Sequence, residues 1–367
     1  MWLGYRPAPH ASEDEAPNLT IVIPAFNEGP MVAQAIRSVA SAHYPKNRLE
    51  IIAIDDGSRD DTWDHIRAAA LEFPKLVEPV RMPENRGKRA ALTEGFRRAR
   101  GEIIVTIDSD SVIGAGSLLA LVGCFRNPKV GAAAGKVTVF NRYDGAIPRM
   151  LQVQFILAFD VMRAAQSRVG TVYCCPGALT AYRASALREV LDRWISQTFL
   201  GAPCTSGEDR AMTNYLLAAG YDAVYQRNAE ARTLVPKTYA QLCRMYLRWE
   251  RSFVREELRF SRIIWKRRFP ALIFALVDTL LADLRFPIGY ASLFLWFLHL
   301  PTDPWLLLNA FLGVGLLALF NLLYYLRSER PGEFLYGPLY AYFSVLTLWW
   351  IFPYAVFTVR SSKWLTR

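Results

Sequence analysis

Charge is spread so unevenly along this chain that its two ends cannot fold in the same solvent. The final 99 residues carry 11 charged side chains, whereas the first 268 carry 65. Residues 269–326 hold only Asp278, Asp283, Arg285 and Asp303. A water-soluble part is therefore expected first and a membrane part after it. Trp305–Leu326 is a 22-residue apolar segment, enough to cross a hydrocarbon core of about 30 Å. Phe286–Leu300 has 15 residues and is too short alone. Joined to Ala271–Leu284 it makes a tilted or kinked span with Pro287 inside and with Asp278 and Asp283 in its cytosolic half. His299–Pro304 would be the outer turn. Basic residues gather on the cytosolic side of a membrane. Arg244–Arg268 before the first segment, and Arg327 and Arg330 after the second, fit that placement.

The net charge of +10 sharpens the division. Residues 1–243 contribute +3, residues 244–268 contribute +6 and the remainder +1. Nucleic-acid binding would place its basic residues among aromatics on a soluble surface. Here the excess sits beside the apolar segments, so no nucleic-acid partner is expected. A composition 52% hydrophobic excludes a disordered chain, and five Cys exclude a disulfide scaffold. Met1–Pro17 lacks an apolar core of signal-peptide length. The soluble part is therefore expected in the cytoplasm, at the inner membrane of the cell, with Cys174 and Cys175 as buried thiols rather than a bridge.

Within residues 18–236, short apolar runs alternate with helical patterns. Leu19–Pro24, Leu49–Ile54 and Glu102–Ile107 read as buried strands. Residues 30–42, a segment opening near Asp60–Thr62, Lys88–Arg98 and Arg210–Ala219 read as helices. This alternation predicts an α/β fold, a mostly parallel sheet with helices on both faces. Ligands of such sheets bind beyond the carboxyl ends of the strands, where Asp55, Asp56, Asp108 and Asp110 fall. The chain has no dinucleotide or P-loop glycine motif.

Asp55-Asp56-Gly57-Ser58 could be no more than a turn. Asp108-Ser109-Asp110 is harder to dismiss. Two carboxylates that close repel each other unless a cation or hydrogen-bond donors lie between them, and hard divalent cations favour such oxygens. Glu208-Asp209 opens a helix, where the macrodipole alone favours acids. Arg248-Trp249 lies in a basic amphipathic helix.

Pro24-Ala-Phe-Asn27-Glu28, Asp55-Asp56-Gly57-Ser58, Asp108-Ser-Asp110, Glu208-Asp209 and Arg248-Trp249 stand in the order seen in family 2 glycosyltransferases of the GT-A fold, and the chain resembles that family. It is most similar to the hyaluronan and chitin synthases, above all the nodulation-type chitin-oligosaccharide synthases. Gly87-Lys88-Arg89, Cys174-Cys175-Pro-Gly177, Gly207-Glu-Asp-Arg210 and Arg248-Trp-Glu-Arg-Ser252 with Arg255-Glu256 carry that closer likeness, which covers roughly residues 18–367.

The resemblance implies an inverting transfer from a UDP-sugar, most simply UDP-N-acetylglucosamine, to a growing oligo- or polysaccharide. Pro24, Asn27, Glu28, Asp56, Lys88, Arg89, Asp108 and Glu208 would bind the donor, Asp56 contacting the uracil and Asp108 the ribose side. Asp110 would hold a divalent metal, Mg²⁺ or Mn²⁺. Asp209 would be the general base, Arg248 would hold the diphosphate, and Cys175, Gly177 and Trp249 would line the acceptor site. After the GT-A domain, the resemblance places basic interfacial helices at 237–269, two spans at 270–326 and an interfacial or re-entrant element with a gating-like tail (Trp364, Thr366, Arg367) at 327–367.

Two departures from the family pattern matter. Met245 stands where Gln-x-x-Arg-Trp has its Gln, which bears on processivity. N-terminal spans are absent, and two spans cannot enclose a channel in one chain, so secretion would need a homo-oligomer or an export partner. A single transfer to a polyprenyl phosphate, a lipid-linked acceptor, is the alternative. A non-catalytic membrane scaffold is the contrasting class.

Overall fold

A computed structural model describes residues 4–299, 302–303, 305–328 and 331–361 of the chain. Leu300, Pro301 and Pro304 around the expected outer turn, the basic Arg330 after the second span, and the gating-like Trp364, Thr366 and Arg367 lie outside the described residues.

The first half alternates strand and helix: β1 (Leu19–Ala25), α1 (Met31–Ala40), β2 (Leu49–Asp55), α2 (Thr62–Glu72), β3 (Val77–Arg81), α3 (Lys88–Arg98), β4 (Ile103–Thr106), β5 (Ser111–Ile113), α4 (Ser117–Val122) and β6 (Val130–Val139). There follow α5 (Ala146–Ile156), α6 (Met162–Ser167), β7 (Thr180–Arg183), α7 (Ala184–Ile195), the ribbon β8 (Thr198–Phe199) with β9 (Ala202–Pro203), α8 (Glu208–Ala218) and β10 (Asp222–Thr233). One eight-stranded sheet has the order β3-β2-β1-β4-β7-β6-β10-β5. Four of its seven adjacent pairs are parallel, which makes it mostly parallel. The minority comes from β7, antiparallel to both β4 and β6, and from the short β5 against β10.

The sheet is buried on both faces, which is why its strands read as continuous apolar runs. Leu19, Ile21 and Ile23 pack on one side with Ile36 and Val39 of α1, whereas Val22, Ile52 and Ile54 pack on the other with Leu92 and Phe96 of α3. Gly95 lets α3 lie close on that second face. A Cβ there would run into Val22 and Ile54. Glycine within a helix costs about 1 kcal/mol against alanine, yet overpacking a filled core costs about 1–3 kcal/mol. Gly95→Ala is therefore expected to lower the thermal unfolding midpoint of the purified protein. A raised midpoint would show that α3 has room to move.

The C-terminal part is helical. The amphipathic α9 (Tyr239–Ile263) starts at a capping box between Thr238 and Gln241. It is followed by α10 (Phe269–His299), which contains Pro287, and by α11 (Trp305–Ser328), α12 (Tyr336–Thr347) and α13 (Ile351–Phe357). On the described residues, no single helix is long and apolar enough to cross a membrane, while α12 and α13 together are, bent by 48°. The stretch expected as an interfacial or re-entrant element contains two short helices. They pack back on the α/β domain: Leu348, Ile351 and Ala355 share a cluster with Leu151 and Leu242, Tyr239 Oη donates to the Thr347 carbonyl at 2.6 Å, and Arg251 Nε donates to Thr358 Oγ1 at 3.1 Å.

Candidate active site

The carboxyl ends of β1, β2 and β4 lie side by side, because β1 pairs with both of the others in parallel register. Pro24 stands in β1 opposite Ile54. Asn27 follows in the left-handed region (φ 52°), which Asn tolerates better than most residues. Its amide N–H donates to Ser58 Oγ at 3.0 Å, its side-chain oxygen accepts from the Arg59 amide at 2.9 Å, and the Glu28 amide donates to Thr62 Oγ1 at 2.8 Å. The first motif is therefore clamped to the turn after β2.

The two carboxylates of that turn divide their work. Asp55 is fully buried and closes the turn, accepting from the Ser58 amide at 2.9 Å with Arg81 Nε at 3.4 Å. Asp56 accepts from the Arg86 amide at 2.9 Å and from Asn85 Nδ2 at 3.2 Å. Burial raises its carboxyl above the usual range, against the lowering effect of those donors.

The centre of the site is a charge cluster that joins residues 120 positions apart. Lys88, at the start of α3, places Nζ 2.6 Å from Asp108 Oδ1 and 3.0 Å from Glu208 Oε1. Enclosure by protein disfavours the ammonium, but the two carboxylates outweigh it and keep Lys88 protonated. Enclosure likewise opposes ionisation of Glu208, and Lys88 overrides it, holding that carboxyl down to about 2. Asp108 and Asp209 go the other way. Desolvation raises Asp108 more than Lys88 lowers it, and desolvation followed by the adjacent Glu208 charge raises Asp209. The pair Glu208-Asp209 thus splits into a fixed anion and a carboxylate of raised basicity, an arrangement suited to proton acceptance. A small cavity lies between Lys88, Gly177, Trp194, Asp209 and Met212.

Gly177 is a steric requirement of this cluster. A Cβ there would lie 2.7 Å from Lys88 Nζ and 2.8 Å from Asp108 Oδ1. Gly177→Ala is expected to push the two apart and lower the thermal unfolding midpoint, since a lost hydrogen bond to a charged group costs about 1.5–3 kcal/mol. Thermal unfolding of the purified protein checks this, and an unchanged midpoint would show that the ion pair gives way without cost.

Asp110 lies one turn beyond. Its Oδ1 accepts from Thr233 Oγ1 at 2.9 Å and Ser111 Oγ at 3.1 Å, and its carbonyl accepts from the Leu234 amide at 3.2 Å. Among the described residues, no three His, Cys, Asp or Glu side chains are grouped to hold a metal ion. The donor set nonetheless fits a hard divalent cation that takes one or two carboxylates from the protein and the rest from substrate phosphates and water. Asp110, with Asp108 two residues before it, would supply those oxygens.

The other wall comes from α9. Arg248 acts on the Glu208 carboxyl, helping to hold it low. Trp249 is 37% exposed and is set in a box of Phe155, Phe159 and Tyr246, with ring centroids 5.7–6.3 Å away. Met245 packs beside Val137, Leu151 and Leu242. A second cavity of about 350 Å³ adjoins this box between Tyr246, Glu250, Tyr340, Trp349 and Phe352. The carboxylate–lysine cluster does not face it.

Arg89 and Cys175 do not take the positions expected of them. Arg89 was expected at the nucleotide beside Lys88. Its guanidinium is buried over the Trp194 ring at 4.7 Å and donates to the Trp194 carbonyl at 2.5 Å and Gln197 Oε1 at 3.0 Å. Successive residues at the start of a helix point about 100° apart, so one faces the cleft and the other the core. Cys175 was expected to line the acceptor site. Its side chain is fully buried, and burial lifts the thiol to about 12. Its backbone takes part instead: the Cys175 amide donates to Thr213 Oγ1 at 3.0 Å, which donates to the Asp209 carbonyl at 2.9 Å. Cys174 and Cys175 are both free thiols.

Behind the cluster lies a support layer to which the sequence assigned no role. Glu256, fully buried in α9, accepts from Gln197 Nε2 at 2.6 Å and Asn214 Nδ2 at 3.1 Å, with Arg255 Nε at 3.5 Å. Arg255 also donates to the Ser206 carbonyl, and Trp194 Nε1 donates to the Glu208 carbonyl at 2.9 Å. Gly207, with φ 73°, lies so close to Ser252 that a Cβ would overlap it. The i, i+3, i+4 spacing of Ser252, Arg255 and Glu256 was the available signal, since it marks one helix face.

Comparison with known proteins points the same way. The family model described as glycosyl transferase family 2 matches residues 20–191. An N-acetylglucosaminyltransferase of Azorhizobium caulinodans is 33% identical, the match covering 96% of this chain and 87% of that protein. One of Rhizobium meliloti is 31% identical over 96% and 82%. Among solved structures, the mannosyltransferase PcManGT from Pyrobaculum calidifontis in complex with GDP-Man and Mn²⁺ superposes with a TM-score of 0.62 at 22% identity, covering 99% of this chain and 92% of that one. The last likeness is one of fold.

Proposed function

Because the chain belongs to glycosyltransferase family 2, we propose that it moves N-acetylglucosamine from its UDP-activated form to the non-reducing end of a glycan acceptor with inversion. The Lys88–Asp108–Glu208 cluster with Asp209 and Arg248 at its rim carries this reading. It joins a cationic diphosphate site to a basic carboxylate, and the relatives' shared name supplies the sugar.

In this reading Asp56, beside the clamped Asn27–Glu28 turn, faces the base, and Lys88 and Arg248 face the diphosphate. Trp249 offers a flat apolar surface to the acceptor ring. Asp209 takes the proton of the acceptor hydroxyl as its oxygen forms a bond to the anomeric carbon. The bond from that carbon to the UDP oxygen breaks on the opposite face, and the electron pair leaves with UDP. Arg248 stabilises the growing charge, since its planar fork matches phosphate oxygens. Asp110 and Asp108 would hold a divalent cation, which would offset the same charge. Treatment with EDTA is expected to abolish UDP release and added Mn²⁺ or Mg²⁺ to restore it. Full activity after exhaustive chelation would remove the metal from the scheme.

We also place the enzyme at the inner face of the cell membrane. The basic 244–268 segment would face anionic headgroups, with the apolar α10 and α11 and the bent α12–α13 pair set against the bilayer beyond it. Incubating membranes with UDP-N-acetylglucosamine and a chitin oligosaccharide, then sizing the products, tests the whole reading. A ladder supports repeated transfer. One lipid-linked sugar would favour single transfer to a polyprenyl phosphate, the reading that Met245 in place of the motif Gln supports.

A further inference from the structure

Arg163 is a buried cation that the proposed reaction leaves unused. It stands on α6 just after a π-helical turn at Leu157–Val161 and is 5% exposed. Its Nη1 is buried with no hydrogen-bond partner among the described residues. The guanidinium lies 4.3 Å from the centroid of Phe159, whose ring meets Trp249 edge-on at 6.3 Å and Phe155 at 4.8 Å. The Asp209 carboxylate is near enough to act on it electrostatically. The face of an aromatic ring offsets only part of what it costs to bury a cation. A π-turn is itself a local departure that recurs at functional sites. A donor kept dry and unpaired beside the general base implies a ligand that completes it.

We infer that Arg163 is an acceptor-binding residue that donates hydrogen bonds to an oxygen of the acceptor N-acetylhexosamine while Phe159 and Trp249 flank the sugar ring. The ligand need not be an anion. What Nη1 lacks is an acceptor atom, and a sugar hydroxyl or acetamido carbonyl supplies one. Neutral sugars also suit the surrounding aromatic surface, which a phosphate would not. The inference rests on the acceptor side of the reading above.

The test is titration calorimetry of the full chain in detergent, with N,N′-diacetylchitobiose in the presence of UDP and, separately, with UDP alone. Arg163→Met keeps the length of the side chain and removes its donors. It should raise the Kd for the disaccharide about tenfold or more, as expected for a lost charged hydrogen bond, and leave the Kd for UDP within about twofold. Arg163→Lys, which keeps the charge but not the fork, should fall between. An unchanged disaccharide Kd overturns the inference, as does equal weakening of both ligands. Failure of both variants to fold would make Arg163 a core cation and overturn it too. If the unaltered protein binds UDP but not the disaccharide, the acceptor reading itself falls. If it binds both and the variants match it, only the role of Arg163 falls.

Discussion

Asp209→Asn should lower kcat about 10²–10⁴-fold, the usual contribution of a positioned general base, with UDP binding held within about twofold. The amide keeps the shape and the contacts that fix the start of α8: the Arg210 amide donates to Asp209 Oδ1 at 2.7 Å, and Thr213 Oγ1 donates to the backbone carbonyl. What it loses is the ability to take a proton. The pH profile makes the assignment specific. Asp209 is held above the ordinary carboxylate range by desolvation and by the neighbouring Glu208 charge. A base works only when deprotonated, so kcat/KM should fall as pH drops through that raised value, and the limb should vanish in the variant. UDP release measured with acceptor present, across acid and neutral pH, reads both quantities. Retention of the acid limb in Asp209→Asn would assign the base elsewhere.

Glu256→Ala should cost about 3–5 kcal/mol of stability, as expected when one partner of a buried ion pair is removed. The loss would leave Arg255, Gln197 Nε2 and Asn214 Nδ2 facing a vacated interior. Thermal unfolding followed by circular dichroism checks it. Glu256→Gln is the informative companion, since it keeps the volume and one acceptor. Its protein should fold and still lose turnover, because Arg255 holds the Ser206 carbonyl and Ser252 packs on Gly207, immediately before Glu208 and Asp209. A wild-type rate in Glu256→Gln would limit this layer to stability.

Much of the fold was legible because its signals are local. Strands β1 and β2 and helix α3 were bounded to within a residue by apolar runs, acidic turns and Gly87. The sheet order was not, because β6, β7 and β10 pair across 46–94 residues, and their small residues, such as Ala132 and Ala134 against Tyr182 and Thr180, give weak periodicity. The apolar stretch near the C-terminus showed its hydropathy plainly, but not the 48° bend between α12 and α13 that packs it against α9. That bend depends on what the helices rest upon.

The same distinction runs through the site. By itself, the sequence determined which acids and cations stand at the ends of strands and the starts of helices, because chain geometry places such positions at one edge of a parallel sheet. It also determined where the collar of positive charge meets the apolar segments. Only the tertiary structure decided which member of each pair acts. Asp55 closes a turn while Asp56 meets the loop after β3. Lys88 joins Asp108 and Glu208 while Arg89 turns to Trp194, 105 residues away. Arg163 and Glu256 drew no assigned role from their spacing. The physical reason is that charge and hydrogen-bonding capacity belong to a residue, whereas desolvation and partners belong to its surroundings, and those come from distant parts of the chain.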